Sequence, residues 1–117
     1  MPRIDDISYA NHDSLLPLLG GFIENLFPYW WDDYSSVADY LDFYLDGFSP
    51  EEIVAMAHEY RLLEIDHVRD AEVNAFLRRM NANYSNDRGP SGGREMLAEI
   101  GERLGQLERG AIPKHFN

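Results

Sequence analysis

Among the residues that could do chemistry, only Glu64 and His67 are spaced like metal ligands. The 117 residues include four histidines and no cysteine, which excludes thiolate metal sites, disulfides and cysteine nucleophiles. Glu64 and His67 lie three residues apart, so on a helix they would share one face. Carboxylate-bridged di-iron bundles use two such Glu-x-x-His pairs and two further glutamates. This sequence has one such pair, so we interpret it as a solvated polar turn and expect no metal and no cofactor.

Other patterns associated with catalysis are missing or weak. No serine lies in a Gly-x-Ser-x-Gly sequence, and no glycine-rich loop follows a strand pattern. The segment 88–93, Arg-Gly-Pro-Ser-Gly-Gly, precedes a helical pattern and could cradle an anion, but a plain connector is the simpler interpretation. Because no nucleophile, base and oxyanion site can be assembled, we predict that the protein is not an enzyme and has no small-molecule substrate.

Composition and charge narrow the choice of partner. The chain is 44% hydrophobic and 26% charged, which is ordinary for a single soluble domain spanning residues 1–117. Residues 1–66 hold 14 acids and two cations, whereas residues 67–117 hold seven acids and eight cations. An acidic half repels nucleic acid and anionic membranes and attracts a basic protein. We therefore expect a protein partner, and neither a nucleic acid nor a membrane.

The distribution of apolar residues bears on the cellular location. The longest apolar stretches are a few residues long, far below the roughly 18 that a membrane span requires. The first six residues lack the basic-then-apolar pattern of a signal peptide. These features predict a cytoplasmic protein.

Apolar residues recur at helical spacing in five segments, and no segment alternates convincingly like a strand. The sequence therefore predicts an all-α protein, a single small bundle of about five helices. Pro17 must lie in the first turn of the first helix, because its ring disrupts later turns. The first predicted helix spans 13–27, and the second runs from Ser35 or Ser36 to near Gly47. The third begins at the capping box Ser49-Pro50-Glu51-Glu52 and continues through Leu63. The fourth and fifth span 70–84 and 94–109, with a loop over 83–93.

The fifth predicted helix has the clearest core face. Its apolar residues follow one another in steps of three and four, as in a packed bundle: Leu97, Ile100, Leu104 and Leu107. We predict that the first three of these are buried. Gly101 and Gly105 each cost this helix about 1 kcal/mol relative to Ala. That cost predicts the close approach of another helix.

The second predicted helix has an unusual polar side. Asp39, Asp42, Phe43 and Asp46 fall within an arc of about 100° opposite the apolar face. Carboxylates three and four residues apart repel each other by a few tenths of a kcal/mol per pair, and Asp46 lies where the helix dipole disfavours an anion. Local rules broken together suggest a functional surface, so we predict that these four residues contact a partner. The alternative is a solvated acidic face with Phe43 packed on a neighbouring helix.

Two adjacent tryptophans lie between the first two predicted helices. Trp30 and Trp31 precede Asp32 and Asp33, and aromatic residues flanked by acids are typical of interface hot spots. Neighbouring side chains rarely both point inward, so we expect one tryptophan to be buried and the other partly exposed. We predict that Trp30, Asp32 and Asp33 also belong to the partner-binding surface.

The order of these features resembles the small acidic immunity proteins of bacterial contact-dependent growth inhibition (CDI) systems, in the group of helical CdiI-like members. The resemblance covers roughly residues 20–108. It is carried by Phe27, Trp31-Asp32, Tyr34, Ser35 or Ser36 with Val37, Ser49-Pro50-Glu51-Glu52, Tyr84 and Met96-Leu97.

The resemblance implies an immunity protein that binds and neutralises the C-terminal domain of one cognate toxin inside the producing cell. Such toxin domains are commonly nucleases, whose active surface is basic because it binds phosphates. An acidic face docked there would block substrate entry without catalysis. Two alternatives remain at this point: a metal-dependent helical enzyme built around Glu64 and His67, and a generic acidic adaptor or DNA mimic.

Overall fold

Helices form all of the regular secondary structure in the computed structural model, which describes residues 4–8, 10–84 and 92–111. The prediction of an all-α bundle is confirmed, although these residues contain more helices than the predicted five. None of the helices in this part of the chain is both long enough and apolar enough to cross a membrane. The α-helices are α1 His12–Leu15, α2 Leu19–Glu24, α3 Trp30–Asp33, α4 Val37–Tyr44, α5 Pro50–Leu62, α6 Asp70–Arg79 and α7 Gly92–Ala111, and 3-10 turns span Ile4–Asp6 and Ile65–His67.

The prediction of one continuous first helix is wrong. The chain forms two short helices there, α1 and α2, and Pro17 lies between them rather than in a first turn. Leu16 has φ −136° and ψ 70°, outside the helical region. A residue that precedes proline is disfavoured in the helical conformation, so helix α1 ends at this point.

Other boundaries also differ from the prediction. The aromatic segment expected to be a link contains a full turn of helix, α3. The predicted fourth helix ends at Arg79 instead of residue 84, and Asn81 has the positive φ of 59° that commonly follows a helix end. Helix α7 starts at Gly92 and runs to Ala111, slightly longer at both ends than expected.

The two starts that the sequence marked with serine caps are confirmed. The Ser36 hydroxyl accepts a hydrogen bond from the Asp39 backbone N–H at 3.1 Å and begins α4. Ser49 and Glu52 form the reciprocal bonds of a capping box at the start of α5. Such caps satisfy backbone donors that the helix itself leaves free.

Helix α7 forms the centre of the bundle, and it packs against α4, α5 and α6. Leu97, Ile100 and Leu104 are fully buried, as predicted. Phe22 from α2 and Phe76 from α6 contribute the largest fully buried side chains of the same hydrophobic core. The core therefore joins elements from both halves of the chain.

Helix α5 packs tightly against α7 at Gly101. A Cβ atom added to Gly101 would lie 2.2 Å from two ring atoms of Tyr60, so the prediction of close packing is confirmed at this position. It is wrong for Gly105, where the nearest atom to an added Cβ is Nη1 of Arg109, on the same helix, at 3.4 Å. Only the first glycine is required by the packing.

One acid is buried inside the bundle and serves a short helix. The Glu59 carboxylate, 7% exposed, accepts hydrogen bonds from the backbone N–H groups of Leu18 and Leu19, the shortest at 2.8 Å. These donors lie at the start of α2, which has no side-chain cap of its own. Loss of hydration raises the pKa of Glu59, while the two backbone N–H groups act in the opposite direction.

Candidate functional site

The corner between α2 and α4 is fixed by hydrogen bonds from a distant part of the chain. The backbone N–H and the side-chain Nδ2 of Asn83 both donate to the carbonyl oxygen of Leu26, each at 2.9 Å. The carbonyl oxygen of Asn83 accepts a bond from the indole Nε1 of Trp30 at 2.6 Å. This clamp holds Trp30 inside the bundle, where its side chain is 6% exposed.

The clamp decides which tryptophan faces outward. Trp30 is buried and Trp31 is partly exposed, so the prediction of one buried and one partly exposed tryptophan is confirmed. Tyr29, just before them, has the left-handed backbone conformation with φ 62° and is 67% exposed. The prediction that Trp30 contacts a partner does not fit its buried position. Trp31 and Tyr29 occupy the outer side of this corner instead.

Ring contacts connect the corner to α4. The buried Tyr40 stacks on Tyr34 with ring centroids 4.4 Å apart, and on its other sides it meets Trp30 and Phe27. Tyr34 in turn lies against Phe43, with centroids 5.9 Å apart. Helix α3 and the outer side of α4 therefore form one connected surface.

We call this connected region the aromatic–acidic surface. Its aromatic members are Tyr29 and Phe43, which are exposed, and Trp31 and Tyr34, which are partly exposed. Phe43 is 68% exposed, so the alternative in which it packs on a neighbouring helix is wrong. Sequence reasoning did not assign Tyr34 to the site, because the role of this residue depends on its stacking against Tyr40. The acidic members, all exposed, are Asp32, Asp33 and Asp39.

The acids of α4 are partly paired within the chain. Asp42 accepts two hydrogen bonds from Arg103 on α7, from Nε and Nη2, each at 2.8 Å. This pairing raises the pKa of the Arg103 guanidinium above its ordinary value. Asp39 accepts a hydrogen bond from the Ser35 hydroxyl, whereas Asp46 is exposed beyond the helix end. The expected repulsion among three carboxylates is therefore already reduced, and Asp42 is less available to a partner than predicted.

A cleft of about 330 Å³ opens beside the aromatic–acidic surface. Trp31 and Tyr34 line this cleft together with Met96 and Glu99 of α7. The Oε2 atom of Glu99 accepts a hydrogen bond from the backbone N–H of Ala38 at 3.0 Å, in the first turn of α4. The carboxylate thus helps to position α4 while it lines the cleft.

The sequence also indicated a possible metal site at Glu64 and His67 and a possible anion loop at residues 88–93. Glu64 has a left-handed backbone with φ 50° and precedes a 3-10 turn, so it does not share a helix face with His67. Within the described ranges, no group of three or more His, Asp or Glu residues is placed to hold a metal ion. The possible anion loop falls largely on residues 85–91, which lie outside the described residues.

Comparisons of the chain with models of protein families, with curated proteins and with solved structures found no match. The resemblance to immunity proteins therefore stays a hypothesis. Its support has to come from the chemistry of the aromatic–acidic surface.

Proposed function

We propose that this chain is a cytoplasmic immunity protein that binds a cognate CDI toxin domain and covers its basic active surface with the aromatic–acidic surface. The observation that carries the proposal is a set of connected, outward-facing aromatic rings bordered by carboxylates. A nuclease domain, which must bind phosphate groups, offers the complementary charge. Neutralisation by occlusion requires no catalytic residue in the immunity protein.

The aromatic residues support the proposal through the free energy that their burial would release. Tyr29 and Phe43 are each about two-thirds exposed. Aromatic side chains bury roughly 150–250 Å² each, and they dominate the energetics of many interfaces. The backbone of Tyr29 also adopts a left-handed conformation, which for a bulky residue costs on the order of 1 kcal/mol or more. The clamp on Trp30 holds this corner in place and keeps Tyr29 outside.

The carboxylates support the proposal through attraction at a distance. Asp32, Asp33 and Asp39 are exposed, and they lie in the half of the chain that holds 14 acids and two cations. Such a charge distribution accelerates encounter with a basic surface and acts over a Debye length of roughly 8 Å at physiological ionic strength. We assign the steering mainly to these three residues. Asp42 is already paired with Arg103, and Asp46 lies beyond the end of α4.

A protection assay tests the proposal directly. A toxin tail encoded beside the gene for this chain would be expressed in a bacterial host, with and without the immunity protein. The wild-type chain should restore growth and co-purify with the toxin domain, whereas the double variant Trp31→Ala, Phe43→Ala should do neither. Val54→Ala, which truncates an exposed apolar residue on α5, is the matched control and should protect fully. Full protection by the double variant would remove the aromatic–acidic surface from the interface.

Binding kinetics separate local charge from net charge. Replacing Asp32, Asp33 and Asp39 with Asn should slow association with the toxin and weaken its dependence on salt. A control variant with Glu51→Gln, Glu64→Gln and Asp66→Asn changes the net charge equally at exposed positions elsewhere. Equal slowing by both triple variants would mean that total charge, and not this surface, governs association.

A further inference from the structure

The cleft beside the aromatic–acidic surface combines two features that recognise a cation. Trp31 and Tyr34 present aromatic rings to it, and Glu99 supplies a carboxylate from α7. Every other described residue that lines the cleft is uncharged. An anion would meet repulsion from Glu99, and an apolar group would remove water from the carboxylate without replacing its hydrogen bonds.

Among the described residues, only one donates a hydrogen bond to the Glu99 carboxylate. Its Oε2 atom accepts the bond from Ala38, and no described residue donates to its Oε1 atom. The side chain is only partly exposed, and its bond to the first turn of α4 limits its rotation. A carboxylate fixed in this way at the wall of a cleft is prepared for a donor that enters from outside.

We infer that this cleft receives an arginine side chain of the bound toxin domain. The inference rests on the proposed function and names the group that the toxin contributes. A planar guanidinium can lie against aromatic rings and donate to a carboxylate at the same time, whereas a lysine ammonium is a compact, strongly hydrated charge. The volume of about 330 Å³ is at the lower end of the range for small-molecule pockets, and it suits one side chain better than a cofactor.

The first test uses the free protein and does not require the toxin. Nα-acetyl-arginine amide would be titrated into the protein, and the NMR signals of the Trp31 indole and the Ala38 amide would be followed. We expect saturable shifts, and we expect Glu99→Gln to weaken binding about tenfold or more, as for a charge-assisted hydrogen bond. The glutamine keeps an oxygen for the Ala38 N–H, so the fold should persist. Glu102→Gln, an exposed position one turn later on α7, is the matched control.

An uncharged analogue with nearly the same shape as arginine tests whether the positive charge is required for binding. The citrulline analogue should cause no saturable shift at the same concentrations, because it lacks the positive charge that Glu99 and the rings would bind. Equal binding of the two compounds, or equal binding of the arginine compound to wild type and Glu99→Gln, would overturn the inference.

The second test places the arginine on the toxin. Each arginine of the toxin domain would be changed to Ala and to Lys, and binding to wild-type and Glu99→Gln immunity protein would be measured. Replacing one particular arginine of the toxin should weaken binding to the wild-type immunity protein tenfold or more. The same replacement should weaken binding to the Glu99→Gln variant much less, which is the mark of a direct contact. If every arginine substitution weakened binding to wild type and to Glu99→Gln by the same factor, the inference would be wrong.

The two proposals can fail separately. If the Trp31→Ala, Phe43→Ala variant still protects cells, the proposed function of this surface fails. If that variant loses protection while Glu99→Gln binds the toxin as tightly as wild type, only the arginine in the cleft is wrong.

Discussion

Tyr60 and Phe43 are aromatic residues on helices of the same bundle, yet their surroundings are opposite. The ring of Tyr60 lies against Gly101 on α7, where even one added carbon would collide with it. Phe43 is 68% exposed, and its ring lies against Tyr34 on one side. In the first region the ring is packed tightly within the chain, whereas in the second most of the ring is left uncovered by the described residues. We interpret the second region as a surface prepared for another protein.

The comparison separates two kinds of experiment. Changes on the buried face of α7 should alter the free energy of unfolding, because Leu97, Ile100 and Leu104 lie in the core. Changes on the aromatic–acidic surface should leave that free energy nearly constant and alter binding.

Truncating the core face of α7 should have the largest effect. Leu104 is fully buried, so Leu104→Ala should lower the free energy of unfolding by about 2–5 kcal/mol. Urea titration followed by circular dichroism measures the change. A loss within about 0.5 kcal/mol would mean that this side of α7 is in contact with solvent, and the contrast with the exposed Phe43 would be wrong.

Gly101 and Gly105 of α7 should respond in opposite directions to substitution by alanine. Gly101→Ala forces the Tyr60 ring to move and should cost about 1–3 kcal/mol. Gly105→Ala meets only the flexible end of Arg109, so it should raise stability by about 1 kcal/mol through helix propensity. Thermal unfolding of the two variants side by side is the measurement. The same sign for both would contradict the close packing of α5 on α7.

Buried and exposed carboxylates also differ, and the difference predicts how the free energy of unfolding depends on pH. Burial raises the pKa of Glu59 above the ordinary value of 4.5, so the folded protein holds this proton more tightly than the unfolded chain does. The resulting stabilisation is complete below the unfolded pKa and is lost as pH rises through the folded pKa. Glu59→Gln cannot ionise, so its stability relative to wild type should increase as pH rises above about 4.5.

Urea unfolding at several pH values between pH 4 and 7.5 measures this relative stability. The exposed Glu51→Gln is measured alongside as the control for the loss of one carboxylate. A constant difference for Glu59→Gln would mean that Glu59 has the same pKa in the folded and unfolded chains.

Phe43→Ala should have the smallest effect on folding. Because its side chain is mostly in water, the free energy of unfolding should change by no more than about 0.5 kcal/mol. If Phe43 anchors the toxin, the same variant should dissociate from it faster than wild type does. A large loss of stability would show that Phe43 belongs to the core, and the contrast with Tyr60 would disappear.

The sequence predicted those parts of the fold that depend on neighbouring residues. The caps at Ser36 and Ser49 act within three residues of themselves; Ser49 was predicted directly, and Ser36 was one of two predicted alternatives with Ser35. The short helix α3 was missed because its corner is fixed by Asn83, which is 53 residues from Trp30. The pairing of Asp42 with Arg103 joins residues 61 positions apart, so no local pattern predicted it.

The candidate site was predicted in part for the same reason. Asp32, Asp33, Asp39 and Phe43 were identified from charge and helical periodicity, and the structure leaves all four exposed. Trp30 was placed on the surface because its hydrogen bond to Asn83 has no sequence signature. Tyr34 and Glu99 join the site only through contacts made in three dimensions.

The contrast between Trp30 and Trp31 gives the protein two built-in optical probes, since the chain contains no other tryptophan. Trp30 is buried, so its fluorescence should report unfolding and resist added quenchers. Trp31 is partly exposed beside Asp32 and Asp33, and a cationic quencher such as caesium should reach it more readily than iodide. Binding that covers this corner should protect Trp31 from the quencher, whereas unfolding should expose both rings, which lie 5.7 Å apart. One unlabelled sample can therefore follow both docking and folding.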